Sequence, residues 1–87
     1  MDIVFSPEAE EDFNYWRSNA AIVDRIKRLL KDIAEHPYTG IGKPERLKWD
    51  LSGKWSRRIT AEHRVIYIVR NEYDDVYVLA LRYHYSK

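Results

Sequence analysis

The spacing of apolar residues follows a helical period over the first part of the chain. Ser6 and Pro7 form a helix start, because a serine hydroxyl caps free N–H groups and proline is favoured at the first helical position. A first helix is therefore predicted from Pro7 to about Arg17. A second is predicted from about Ala20 to His36, because its aliphatic residues share one face: Ile22, Ile26, Leu29, Leu30 and Ile33.

After a loop rich in proline and glycine, the apolar period falls to two residues, which is typical of strands. Strands joined by short turns are predicted after this loop, together with one before the first helix: 2–5, 46–51, 55–60, 64–70 and 76–85. Early helices followed by consecutive strands predict an α+β domain with both helices packed on one face of a twisted antiparallel sheet. The opposite face is then available for a functional site.

Length and composition limit the kinds of protein that this chain can be. Its 87 residues suit one domain, 1–87, with a single core. The chain has no cysteine, no apolar run near the roughly 18 residues of a membrane span, and no signal-peptide pattern. The histidines are scattered and no carboxylate pair stands at ligand spacing. We therefore expect a soluble cytoplasmic protein with no membrane partner, no metal and no other cofactor.

The net charge of +1 averages two unlike halves of the chain. Residues 1–40 carry five basic and eight acidic side chains, a net charge of −3, whereas residues 41–87 carry ten basic and six acidic ones, a net charge of +4. A positive half favours an anionic partner, of which nucleic acid is the commonest. The alternative interpretation is that these charges only solvate the protein surface.

The predicted last strand ends with a cation, an imidazole and two phenols, in the order Arg82, Tyr83, His84 and Tyr85. Strand alternation predicts that Arg82 and His84 lie on one face. In the hairpin before this strand, alternation predicts that the Arg58 side chain lies on the opposite face of the sheet from those of Arg57 and Ile59. Antiparallel pairing would bring Arg58, Arg64 and His84 together at one end of the sheet.

Such a cluster suits cleavage of an RNA phosphodiester by its own 2′-hydroxyl, which needs a base, an acid and a cation but no metal. Histidine suits the acid near neutral pH, and arginine suits the cation because its planar guanidinium holds two phosphate oxygens. Glu45, between Lys43 and Arg46, is the best carboxylate for the base. An ordinary surface ion pair with Lys43 or Lys48 is the alternative for Glu45, and His63 is predicted to stabilise a turn.

Short motifs along the chain occur in the order of a known family: Gly42-Lys43-Pro44-Glu45, Leu51-Ser52-Gly53, Trp55-Ser56-Arg57-Arg58-Ile59-Thr60, Glu62-His63-Arg64 and Arg82-Tyr83-His84-Tyr85. In these motifs the chain closely resembles the YoeB family of toxins, within the RelE/ParE superfamily. The resemblance covers nearly the whole chain, including two helices followed by a sheet. It implies a toxin of a type II toxin–antitoxin pair that cleaves mRNA in the ribosomal A site without metal, leaving a 2′,3′-cyclic phosphate.

Carried over by position, the resemblance implies Glu45 as general base, His84 as general acid and Arg64 as the stabiliser of the transition state. Further contacts to the substrate, or support of the site, are expected from Lys48, Arg58, Arg82 and Tyr85. The implied partners are mRNA on the ribosome with contacts to ribosomal RNA, a cognate antitoxin protein and, as in several family members, a second copy of the chain.

Several departures from the family pattern bear on how the substrate is positioned and on how a partner fits. Arg46 follows Glu45 where the family has proline, Trp49 replaces a polar residue, the turn from Arg70 to Val76 is longer and more acidic, and Ser86 and Lys87 extend past the usual terminal tyrosine. Two other functions are consistent with the sequence. One is a ParE-like inhibitor that binds a protein target such as gyrase and cuts no RNA. The other is an RNA-binding module in which arginine and tyrosine only contact phosphate and stack on bases.

Overall fold

The computed structural model describes residues 1–48 and 53–83. The first strand, β1 (Asp2–Phe5), is followed by the helices α1 (Pro7–Trp16) and α2 (Ala20–Glu35). The remaining strands are β2 (Glu45–Arg46), β3 (Trp55–Arg58), β4 (Arg64–Arg70) and β5 (Asp75–Ala80). A short 3₁₀ turn, Asn71–Tyr73, joins the last two.

Both helices begin where a side chain caps the backbone. The Ser6 hydroxyl accepts a hydrogen bond from the Ala9 N–H at 3.0 Å, and the Asn19 side chain accepts one from the Ile22 N–H at 3.1 Å. These caps satisfy donors that have no partner within the helix. The predicted helix starts are confirmed.

The predicted α+β fold is confirmed, with a mixed sheet in the order β1-β5-β4-β3-β2. Strands β2 to β5 pair antiparallel, as predicted. β1 instead pairs parallel with β5. The chain leaves β1, builds both helices and three strands, and returns to lie beside it in the same direction, which is the long connection that parallel pairing requires.

The helices cover one face of the sheet, which we call the inner face. Its buried core joins aliphatic residues of α2 to residues of the two central strands: Ile26, Leu29, Ile33, Val65, Tyr67, Val76 and Val78. Phe13 and Trp16 of α1 pack against this core at its margin. Burial of this surface stabilises the domain, at roughly 25 cal/mol per Å² of apolar area. The other face of the sheet is here called the outer face.

The predicted last strand, 76–85, is wrong over residues 81–83, because β5 ends at Ala80, and residues 84 and 85 lie outside the described residues. A β-bulge shifts the register, so that Tyr67 pairs with Val78 but Ile66 pairs with Ala80. The extra residue reverses the alternation, and Leu81 is consequently buried in the core with Val78. The predicted alternation is therefore broken before Arg82, and His84 lies outside the described residues.

Ser6, the cap of α1, and two side chains of α1 bond the backbone of the end of β5 and of the residue that follows it. The Ser6 N–H donates to the Val78 carbonyl at 2.9 Å and the Ser6 hydroxyl to the Leu79 carbonyl at 3.1 Å. Asp12 then accepts from the Leu81 N–H, and the Trp16 indole donates to the Leu81 carbonyl, both at 2.9 Å. Beyond β5, the Asp12 and Trp16 side chains thus supply the backbone hydrogen bonds that a neighbouring strand would otherwise supply.

The predicted strands 2–5 and 64–70 match β1 and β4, and the predicted strand 55–60 is confirmed with the shorter bounds of β3. Of the predicted strand 46–51, β2 accounts for Arg46, and residues 49–51 lie outside the described residues. No helix in residues 1–48 or 53–83 is long and apolar enough to cross a membrane.

Candidate active site

Three predicted site residues share the outer face. Arg57 of β3 points inward to the helices, so its neighbours in the strand point outward. Arg58 is paired with Arg64, and Ser56 is paired with Ile66 on one side and Glu45 on the other. Strand spacing of about 4.8 Å and a rise of about 3.3 Å per residue put the Glu45 and Arg64 backbones roughly 12 Å apart. Both side chains can then reach one phosphodiester from opposite sides.

The guanidinium of Arg64 is held by the turn that precedes β4. Its Nη1 donates to the carbonyls of Thr60 and Ala61 at 3.1 and 3.0 Å. One nitrogen of the guanidinium is thus used for orientation. Among the described residues, its Nε and Nη2 donors make no hydrogen bond, so that they are available to an anionic ligand.

A loop with left-handed backbone delivers Glu45 to the sheet edge. Gly42 and Lys43 have φ of 79° and 54°. A Cβ on Gly42 would come within 2.6 Å of a Leu29 methyl, so only glycine fits there. The Gly42 carbonyl accepts from the Arg58 N–H at 2.7 Å, which ties the loop to β3. The loop therefore brings the base candidate to the strand that carries Arg58.

Arg57 holds the same loop from the inner side. It is fully buried, and all five of its N–H donors are used: by the Asp32 carboxylate, the Tyr67 hydroxyl and the carbonyls of His36, Thr39 and Ile41. The hydrogen bond from Arg57 holds the pKa of Asp32 below its usual value. Burial raises the pKa of Tyr67, whose neutral hydroxyl donates to the Pro37 carbonyl at 2.7 Å. Arg57 is thus a structural residue.

Two hydrogen bonds fix Tyr83, the last described residue. The Arg64 N–H donates to the Tyr83 carbonyl at 2.9 Å, and the Tyr83 N–H donates to Nδ1 of His63 at 2.7 Å. Tyr83 has a φ of 57°, in the left-handed region that side chains disfavour. The residue that covalently precedes His84 is therefore held beside Arg64.

His63 has the predicted role in the turn and a second one that the sequence did not indicate. Its carbonyl accepts from the N–H groups of Ile59 and Thr60 at 2.9 and 3.2 Å, and the Thr60 hydroxyl accepts from the N–H groups of Glu62 and His63, both at 3.1 Å. The imidazole of His63 bonds Tyr83 and packs against Trp16, with ring centroids 4.8 Å apart. Its position directly before Arg64 was the only sequence signal for this role.

Arg82 lies over two aromatic rings. Its guanidinium carbon is 3.6 Å from the centre of the Tyr15 ring and 4.7 Å from that of Tyr83. It lines a cavity of about 350 Å³ together with three carboxylates of α1, one residue each of β4 and β5, and the tyrosine beyond β5: Glu8, Glu11, Asp12, Ile66, Ala80 and Tyr83. The nearby carboxylates disfavour a phosphate, so the position of Arg82 favours a structural role over a phosphate contact.

The remaining predicted site residues are placed only in part. Lys48 is exposed, two residues after β2. His84 and Tyr85 lie outside the described residues, and their predicted roles stay predictions. No group of three His, Asp or Glu side chains within 1–48 and 53–83 could hold a metal ion.

Comparison with known proteins identifies the family. Residues 5–85 match the sequence model of the YoeB-like toxins of bacterial type II toxin–antitoxin systems. The toxin YoeB of Escherichia coli K12 is 46% identical over 86 residues, which cover 98% of this chain and all of the relative.

Solved structures agree with the sequence relatives. A YoeB/ParE toxin from Agrobacterium tumefaciens superposes with a TM-score of 0.92 at 41% identity, covering 98% of this chain and all of the other. The YoeB–YefM complex and the YoeB dimer from Staphylococcus aureus give TM-scores of 0.86 and 0.87 at 42% and 41% identity, covering 98% of each chain. By sequence and by fold, this chain belongs to the YoeB-like toxins of bacterial type II toxin–antitoxin systems.

Proposed function

We propose that this toxin is a ribosome-dependent endoribonuclease that cleaves mRNA in the A site. The observation that supports this most is the geometry of the outer face. There Glu45, Arg58 and Arg64 share one surface, and the backbone of Arg64 bonds the residue before His84. Phosphodiester cleavage requires a base, a cation and an acid, whereas binding to a protein needs none of them. Candidates for the base and the cation share this surface, and the proposed acid, His84, follows Tyr83 in the sequence.

The proposed reaction is an internal transesterification of RNA. Glu45 takes the proton of the 2′-hydroxyl, and the resulting oxygen forms a bond to phosphorus. Arg64 stabilises the negative charge that develops on the phosphorane oxygens, with Arg58 and Lys48 binding flanking phosphates. The bond from phosphorus to the 5′-oxygen breaks, and His84 protonates that oxygen. The products are a 2′,3′-cyclic phosphate and a 5′-hydroxyl, and no metal takes part.

The positive charge of the second half of the chain is consistent with this substrate. Residues 41–87 have a net charge of +4, and the outer-face arginines are part of it. We further propose that a cognate antitoxin binds this chain, as YefM binds the YoeB of S. aureus. A homodimer is proposed on the same ground, since a dimer of that YoeB has been solved. We place the protein in the cytoplasm with its ribosomal target.

Cleavage of ribosome-bound mRNA by purified variants tests the proposed roles. Glu45→Gln and His84→Gln are expected to lower the single-turnover rate by about 10²–10⁴-fold, because each removes one proton transfer. The matched controls are Glu72→Gln, in the exposed turn after β4, and His36→Gln, at the exposed end of α2, which should leave the rate unchanged. Full activity of both site variants would refute the assignments. Gyrase inhibition without cleavage by the wild type would favour a ParE-like inhibitor.

A further inference from the structure

We propose that His63 is a positioning residue for the general acid, and that it acts by accepting the backbone hydrogen bond of Tyr83. This inference rests on the proposed function, because it deepens the role of the same site. It starts from one contact, the 2.7 Å hydrogen bond from the Tyr83 N–H to Nδ1 of His63. A side chain that accepts from a backbone N–H twenty residues away fixes one segment of chain relative to another.

The direction of this hydrogen bond determines the state of the imidazole. A backbone N–H can only donate, so Nδ1 of His63 must carry a lone pair. The proton of the neutral ring is then on Nε2. His63 therefore acts here as an acceptor and not as a proton donor, which separates its role from that proposed for His84.

The contact matters because of the conformation that it holds. Tyr83 has a φ of 57°, which a residue with a Cβ adopts only when its surroundings impose it. Two hydrogen bonds impose this conformation on Tyr83. Its N–H donates to Nδ1 of His63, and its carbonyl accepts from the Arg64 N–H at 2.9 Å. The backbone N–H and carbonyl of Tyr83, the residue before His84 in the sequence, are thus held by residues 63 and 64.

The imidazole of His63 is itself held against α1. Its ring is T-shaped to Trp16, with centroids 4.8 Å apart and an interplanar angle of 82°. The Trp16 indole also donates to the Leu81 carbonyl at 2.9 Å. The end of α1 therefore supports both the acceptor and the segment that the acceptor binds. Backbone that is preorganised in this way keeps a catalytic group in its productive position.

Two substitutions distinguish the role of His63 as a hydrogen-bond acceptor from the packing of its ring against Trp16. His63→Phe keeps a ring against Trp16 but removes the acceptor, whereas His63→Asn removes the ring but keeps an oxygen near the position of Nδ1. We expect His63→Phe to lower the single-turnover rate on ribosome-bound mRNA by roughly 10–100-fold, with the half-saturating concentration changed less than about threefold. His63→Asn should recover most of that loss. His36→Phe is the matched control and should behave as wild type.

A measurement that needs no activity completes the test. Amide hydrogen exchange of the Tyr83 N–H should be slow in the wild type and in His63→Asn, and at least about tenfold faster in His63→Phe. A His63→Phe variant with normal rate and slow exchange would overturn the inference, as would a defect in His63→Asn that equals the one in His63→Phe. If the wild type cuts no mRNA, the proposed function fails and the positioning role falls with it, whereas a defect confined to His63→Phe supports both.

Discussion

Arg57 and Arg58 are neighbours in the sequence and lie on opposite faces of the sheet, with opposite surroundings. Arg57 is fully buried, and its five N–H donors bind a carboxylate, a phenol and three carbonyls. Arg58 is exposed, and within the described residues its side chain donates no hydrogen bond. A guanidinium with every donor used has no capacity for a phosphate, whereas one with unused donors at the surface has.

The same contrast separates Arg57 from Arg64. Arg64 uses only Nη1 on the turn before β4, which orients the group and leaves other donors for a ligand. The inner-face arginine therefore stabilises the loop that carries Glu45, and the outer-face arginines contact the substrate in the proposed reaction. Charge alone does not distinguish these roles. The two roles are distinguished by how many of the guanidinium N–H donors already have an acceptor within the fold.

The largest expected effect is on stability, from Arg57→Met. Methionine fills part of the volume but leaves the Asp32 carboxylate, the Tyr67 hydroxyl and the loop carbonyls without their donor. Breaking such a buried network typically costs about 3–5 kcal/mol of unfolding free energy. Urea unfolding measures it, and Arg58→Met is the matched control one residue away. The control should change the unfolding free energy by about 0.5 kcal/mol or less. Equal losses in both variants would show that the two faces do not differ.

Arg64→Met should have the reverse profile, a large loss of activity with little loss of stability. Removal of one charged donor to a developing oxyanion costs about 10²–10³-fold in rate, or about 2.7–4 kcal/mol. Arg64→Lys should restore only part of this rate, because an ammonium cannot bind the turn carbonyls and two phosphate oxygens at once. Single-turnover cleavage measures the loss of activity, and urea unfolding of the same preparations measures the stability. A variant as destabilised as Arg57→Met would assign Arg64 to the scaffold.

Local patterns in the sequence predicted much of this arrangement. Ser6 and Pro7 mark the start of α1, the shared aliphatic face marks α2, and the bounds of β4 follow from the position of the two turns that flank it. Alternation also separates Arg58 from Arg57. It does not reveal that the acceptors of Arg57 come from a loop 16 to 21 residues earlier, since backbone carbonyls have no sequence signature.

The end of β5 could not be predicted for a similar reason. Alternation assumes an unbroken ladder, and a bulge between paired strands reverses it at Ala80. The bonds that then hold the chain come from Asp12, Trp16 and His63, which are 20 to 69 residues away in the sequence. Contacts of that range depend on the finished fold. The family resemblance named the candidate acid, but it did not indicate what holds the neighbouring residue.

The smallest expected effect is on the acid stability of the inner-face network. The hydrogen bond from Arg57 lowers the pKa of Asp32 in the folded state relative to an unfolded value of roughly 3.9. The carboxylate therefore contributes stability above that value, and the contribution is lost as pH falls through the lower folded pKa. Asp75, whose pKa is lowered by its hydrogen bond to Arg70, contributes in the same direction.

Asp32→Asn should accordingly reduce the fall in unfolding free energy between pH 5 and pH 3 without abolishing it, because Asp75 still titrates. Urea midpoints at several pH values measure this difference. Asp24→Asn is the control, since its ion pair with Arg28 is two-thirds exposed and screened by solvent. If Asp24→Asn and Asp32→Asn alter the pH dependence equally, the carboxylate beneath Arg57 has no special role. If only Asp32→Asn does, the buried arginine is linked to acid stability through its one charged acceptor.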